Sequence, residues 1–157
     1  MPVETVFAFC ANPRNLPRIM PPAMDAKLLN LKLMSRQSRG SGEAPLAAIV
    51  GSEMVLSFRL MPGLPFRGKW VARITECQIN HFFTDIQAKG PFKAWHHRHE
   101  FVPQVRDAVA GTLIRDAVEY EVGFGPLGAL ADRVFVSRQV RATFAWRQNA
   151  VRELLRG

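Results

Sequence analysis

Apolar and polar side chains alternate through most of the middle of this chain. Successive side chains of a strand point to opposite faces, so a period of two marks a half-buried strand. Over residues 51–61, Met54, Leu56, Phe58 and Leu60 fall on one face, and Glu53, Val55, Ser57 and Arg59 on the other. Over 66–78, Trp70, Ala72, Ile74 and Glu76 share a side. The same reading predicts strands over 26–34, with Leu29, Leu31 and Leu33 together, and over 82–89, 93–102 and 112–124. Turn residues stand between them at Pro62-Gly63-Leu64-Pro65, Asn80-His81 and Gly90-Pro91, while 35–45 and 103–111 read as loops. The two ends of the chain are helical in pattern. Glu4–Ala11 is a short predicted helix stopped at Asn12-Pro13, and Asn15–Ile19 a further helical turn. Gly125-Pro126-Leu127-Gly128 breaks the last strand, and 129–155 reads as one long helix. Val136, Val140, Phe144, Val151 and Leu155 occupy one broad face of that helix, with Arg138, Arg141 and Arg152 opposite. Short helices, about six strands joined by hairpin-like turns, and a long final helix predict an α+β domain. A curved antiparallel sheet wrapped around the long helix leaves a space between them.

The run from Gly90 to Phe101 carries the most unusual face. Trp95, His97, His99 and Phe101 lie on one side, and His96, Arg98 and Glu100 on the other. An ordinary core face would carry Val, Ile and Leu. Large aromatic surface mixed with two imidazoles suits the wall of a cavity for a mainly apolar ligand with a polar end. The strand over 112–124 also alternates, placing Ile114, Asp116, Val118, Tyr120 and Val122 together. Antiparallel pairing with apolar faces matched sets Phe101 opposite Ile114, His99 opposite Asp116, His97 opposite Val118 and Trp95 opposite Tyr120. A slip of one residue would oppose Arg98 to Asp116 and bring unlike faces together. A buried Asp needs a partner, and an imidazole can supply it. Three roles stay open for His97, His99 and Asp116: a structural hydrogen bond, orientation of a ligand's polar end, and acid/base catalysis.

Composition narrows the choice of function. At 157 residues, with 48% hydrophobic and 22% charged side chains, the chain fits one globular domain, residues 1–157. No apolar run reaches the roughly 18 residues of a membrane span. Met1-Pro2-Val3-Glu4-Thr5 lacks the basic and apolar regions of a signal peptide, so a cytoplasmic location is expected. Cys10 and Cys77 are too few for a disulfide framework and read as buried thiols. The net charge of +8 comes from scattered residues, mostly Arg, with no basic block. Specific nucleic-acid binding is therefore not expected, while peripheral contact with an anionic membrane stays open. His97, His99 and Asp116 could reach one metal ion, but no ligand-spacing signature supports it, so neither metal nor cofactor is expected. No Ser or Cys sits in a nucleophile elbow, and Gly40-x-Gly42 continues into no phosphate loop.

The ordered pieces of the chain resemble the SRPBCC superfamily of START, Bet v 1 and polyketide-cyclase-like helix-grip proteins, most closely its bacterial ligand-binding branch. The pieces are Val6-Phe7-Ala8-Phe9 with Asn15-Leu16-Pro17-Arg18-Ile19, Trp70 to Glu76, Phe83-Thr84-Asp85, Gly90-Pro91-Phe92 with Trp95 to Phe101, Gly111-Thr112-Leu113 with Asp116 to Tyr120, and Phe144-Ala145-Trp146-Arg147. The resemblance implies a helix-grip fold with an internal cavity for a hydrophobic ligand, and no single activity. Members begin with a strand before the first helix, which this chain lacks; a start upstream of Met1 is the expected explanation, and dimerisation through an exposed strand edge the alternative.

The expected function is therefore non-catalytic binding or carriage of a lipid, isoprenoid, quinone or polyketide-like molecule. Phe58, Trp70, Trp95, His97, His99, Phe101, Asp116, Val118, Tyr120, Val140 and Phe144 are its candidate contacts. The alternatives are a cyclase, dehydratase or hydrolase using His97, His99 and Asp116, and an interaction module for an epimerase-like partner, to which the basic helix face would dock.

Overall fold

The computed structural model describes residues 1–34, 49–59 and 66–156. Helix α1 (Val3–Ala11) and the short α2 (Leu16–Ile19) precede six strands. These are β1 (Lys27–Lys32), β2 (Glu53–Arg59), β3 (Arg67–Gln78), β4 (Phe82–Lys89), β5 (Ala94–Arg106) and β6 (Val109–Glu121). They form one antiparallel sheet in the order β1-β2-β3-β4-β5-β6. Register shifts between Leu28 and Asn30, Val71 and Ala72, and Ile74 and Glu76 interrupt the ladders. Such bulges bend and twist a sheet, and here they serve its curvature around the helices.

The chain is helical from Gly125 to Arg156, as α3 (Gly125–Ala131), a π-helical stretch (Asp132–Val136) and α4 (Ser137–Arg156). The expected break at 125–128 is thus the start of the helix. Pro126 falls in the first turn, where its missing N–H costs nothing. Gly128 is obligatory, because a Cβ there would fall on the carbonyl of Gly123.

Two further expectations are corrected at the β5–β6 hairpin. The residues read as a loop over 103–111 are mostly strand, since the ladder runs on to Arg106 opposite Val109. Asp107 and Ala108 close it with φ of 51° and 60°, the positive pair that a two-residue I′ turn requires. Pro103 is tolerated because β4 pairs with β5 only as far as Glu100, leaving one side of the outer arm free of ladder bonds. At the other end, β6 stops at Glu121 rather than Phe124. The loop expected over 35–45 and the turn over 62–65 lie outside the described residues.

The inner face of the sheet is covered in two ways. Val6, Phe7 and Ala11 of α1 pack directly on Ile74, Phe83 and Phe101, with Leu155 of α4 beside them. Asn15 Nδ2 donates to the Phe9 carbonyl (2.9 Å), which ties the turn after α1 to its last residues. Met54, Leu56 and Ala72 form a second cluster with Leu16 and Trp70. Between the second cluster and α4 the packing is open.

Candidate functional site

Strands β4, β5 and β6 bring four ionisable side chains together on the inner face. Asp85 stands opposite His97 across β4 and β5, and His99 stands opposite Asp116 across β5 and β6. The β5–β6 register is the one that matches apolar faces: Trp95 to Tyr120, His97 to Val118, His99 to Asp116 and Phe101 to Ile114. His97 is 2% and His99 6% exposed. His97 Nε2 shares a hydrogen bond with Asp116 Oδ1 at 3.1 Å, and His99 Nδ1 lies 2.9 Å from the same oxygen. The other nitrogen of each ring, His97 Nδ1 and His99 Nε2, lies 3.4 Å from Asp85 Oδ2. The four groups form a closed ring in which each imidazole bridges both carboxylates.

Burial alone would raise the carboxyl pKa values. Contacts with His97 and His99 outweigh it and hold Asp85 and Asp116 well below the usual carboxylate range. Burial would also lower the pKa of His97, but hydrogen bonding to Asp116 and Asp85 raises it. The Arg147 charge further lowers Asp116 and opposes protonation of His97. Cys10 of α1 feels burial most, which pushes its thiol up to about 12.

This ring lies on the wall of a cavity of about 330 Å³ between sheet and helices. The rest of the lining is largely apolar and aromatic. Trp70 and Trp95 meet edge to face at 4.9 Å, and Phe144 of α4 sits edge-on to His97 at 4.9 Å. The guanidinium of Arg147 lies 4.9 Å from the Phe144 ring and also lines the cavity.

Of the residues singled out in the sequence, Phe58, Trp70, Trp95, His97, His99, Asp116, Val140 and Phe144 line this cavity. Phe101 belongs instead to the packed cluster beneath α1, against Phe7 and Phe83. Val118 shares the inner face but is not part of the lining. Tyr120 stacks on Trp95 at 5.8 Å, and its hydroxyl donates to Asp132 Oδ1 at 2.7 Å, pinning β6 to the π-helical stretch. Asp85 and Arg147 lacked any assigned role. The signal for Asp85 was present: it shares a face with Phe83, so a core-facing Phe83 carries Asp85 inward. Arg147 follows Phe144 and Val140 at helical spacing, on the flank of the apolar face.

A curved antiparallel sheet gripping a long C-terminal helix defines the helix-grip class. The family model "Polyketide cyclase / dehydrase and lipid transport" matches residues 1–148, and the chain belongs to that family, within the SRPBCC superfamily. Solved structures share the fold at low identity. Protein CV1439 from Chromobacterium violaceum is 12% identical with a TM-score of 0.63, covering 98% of this chain and 88% of that one. Ms6760 from Mycobacterium smegmatis is 18% identical with a TM-score of 0.58, over 98% and 83%. Ara h 8.0201 is 10% identical with a TM-score of 0.55, over 98% and 91%. No curated protein matches the chain.

Proposed function

We propose that this protein binds and carries a hydrophobic small molecule, of lipid, isoprenoid, quinone or polyketide-like type, between the sheet and α4. One observation carries the reading: an apolar, aromatic-walled cavity with the His–Asp ring and Arg147 in its wall. Its volume of about 330 Å³ falls at the small end of the roughly 300–1,000 Å³ typical of small-molecule sites. Apolar burial supplies the affinity, at roughly 25 cal/mol per Å² before ordering costs. The Asp85–His97–His99–Asp116 ring and Arg147 orient a carbonyl, hydroxyl or carboxylate. Loading from an anionic membrane surface belongs to the same reading. The net charge of +8 and the exposed apolar side chains Phe124, Leu127, Leu130 and Val134 near the start of the helix support it.

Native mass spectrometry of the protein from its own host, followed by solvent extraction, tests this. The expected result is one reproducible hydrophobic molecule, with an altered profile after Phe144→Trp, which narrows the cavity. A folded protein that carries nothing and takes up no hydrophobic probe would overturn it. The rival is an enzyme of cyclase, dehydratase or hydrolase type. The buried His–Asp ring facing the cavity favours it, and conversion of the extracted molecule into a product would establish it.

A further inference from the structure

Neutral imidazoles alone do not satisfy the His–Asp ring. An ionised carboxylate only accepts hydrogen bonds, and a neutral imidazole carries a single N–H. Yet His97 and His99 each face Asp116 with one ring nitrogen and Asp85 with the other. With neutral rings, one contact of each imidazole sets lone pair against lone pair. Two imidazolium rings would satisfy all four contacts, but with centroids 3.7 Å apart on a buried face their mutual repulsion offsets part of what the carboxylates contribute. A divalent cation on the Asp85 side removes both difficulties. Each neutral ring then donates its one N–H to Asp116 and gives a lone pair to the ion, and two carboxylates balance two positive charges.

The distances divide in the same way. The 2.9 and 3.1 Å contacts to Asp116 are hydrogen-bond lengths. The 3.4 Å contacts to Asp85 are long for a charge-assisted hydrogen bond. They match the spacing of two ligands on one tetrahedral ion, about 3.3–3.4 Å for bonds of about 2.0–2.1 Å. Ligating atoms of Asp85, His97 and His99 all lie within 4.8 Å of one another. All three residues line the cavity.

We propose that Asp85, His97 and His99 form a site for a divalent transition-metal ion of the zinc or iron type, with a position open to the apolar cavity. Asp116 lies behind both rings and orients them, the usual part of a carboxylate that accepts from a metal-bound histidine. Two imidazoles and one carboxylate favour zinc or ferrous iron over magnesium or calcium, which take oxygen donors. An ion in this position would meet a ligand's oxygen directly. No metal is expected from the sequence, where the set weighed and set aside has Asp116 as third ligand; the proposed set has Asp85 in that place. The site stands independently of the carriage reading, since an ion can bind with no organic molecule present.

The test uses the whole chain, stripped of metal with a chelator and of small molecules by extraction. Zn²⁺ alone is titrated in and read by calorimetry and elemental analysis. The expected result is one ion per chain, with at least about 100-fold weaker binding in Asp85→Asn and His99→Gln. Asp116→Asn should weaken binding by about 10–100-fold, as loss of an orienting carboxylate does. Absence of stoichiometric uptake of both Zn²⁺ and Fe²⁺ by the wild type, or wild-type affinity in Asp85→Asn, would overturn the site. Circular dichroism checks the fold of each variant. If the variants unfold, the imidazole NMR signals of the wild type decide. Zn²⁺ should shift those of His97 and His99 and spare those of His81 and His96, and any other pattern sinks the proposal. A protein that takes up the ion but yields no extracted molecule and takes up no hydrophobic probe refutes carriage and keeps the metal site.

Discussion

Phe101 and Trp95 lie on the same face of the same strand, yet they live in different surroundings. Phe101 is packed between Phe7 and Phe83 with α1 pressed on the sheet, and is 2% exposed. Trp95 faces open space, bounded by Trp70 and Phe144. One half of the inner face is closed by a helix that carries its own aromatic ring into the core. Over the other half, Val140 and Phe144 of α4 border the cavity. The His–Asp ring sits between the two halves, at the last row before the packing closes. Shared apolar character therefore does not imply a shared job: the closed half holds the sheet to α1, and the open half is available to something else.

The strongest way to break this comparison is to remove one ring from each half. Phe101→Ala leaves a void in a filled core and should cost about 3–5 kcal/mol. Phe144→Ala removes a ring that already borders space, so mostly the transfer term is lost, about 1–2 kcal/mol. Urea unfolding of both variants measures the difference. Equal losses would mean that the open half is as tightly packed as the closed one.

The boundary between the halves should show itself in pH, in protein stripped of metal. Asp85 and Asp116 have lowered pKa values in the folded state. Their contribution is present above the unfolded carboxylate value of about 3.9 and is lost as pH falls through the folded one. His97 has a raised pKa, so its contribution is present below about 6.5 and is lost as pH rises through its folded value. Stability should therefore peak between about pH 4 and 6.5 and fall on both sides. Thermal melts from below that range to above it check it. Asp116→Asn should flatten both arms, and a profile unchanged in that variant would assign the dependence to other groups.

Much of this arrangement could be read from the residues before any coordinates. The β5–β6 register follows from two strands that each have one apolar face, because a slip of one residue inverts every side chain. The four-membered ring was only half visible. Its Asp85–His97 link depends on pairing across the Gly90-Pro91 turn, and Phe83-Thr84-Asp85 offers only two inward positions from which to judge the face. Whether Phe101 or Trp95 borders the cavity was not readable, since periodicity assigns a face and says nothing of what covers it. The hairpin arm was obscured by Pro103 and Gly111, which break strands inside a sheet but are tolerated where β4 has ended. Gly125-Pro126 marks a helix start as readily as a turn, and the deciding fact is the close approach of Gly128 to Gly123.

The smallest expected effect concerns the latch beside the open half. Tyr120 holds β6 to the helix through its hydroxyl bond to Asp132, at 2.7 Å. Burial, then the hydrogen bond to Asp132 and that carboxylate's charge, push the Tyr120 hydroxyl up to about 12. It is the only tyrosine in the chain, so an ultraviolet titration reads it without assignment. The midpoint should lie near 12 in the folded protein and about 10 in urea. Because the folded value is the higher one, the latch contributes fully below about pH 10 and is lost as pH rises toward the folded value. Tyr120→Phe keeps the ring on Trp95 and deletes only the hydroxyl, so the loss should be about 0.5–1.5 kcal/mol. If the helix start moves to admit a ligand, the same substitution should speed ligand exchange while barely shifting the melting temperature. An unchanged exchange rate with a midpoint near 10 would mean that the hydroxyl is not bound to Asp132, and that the entrance to the cavity is held elsewhere.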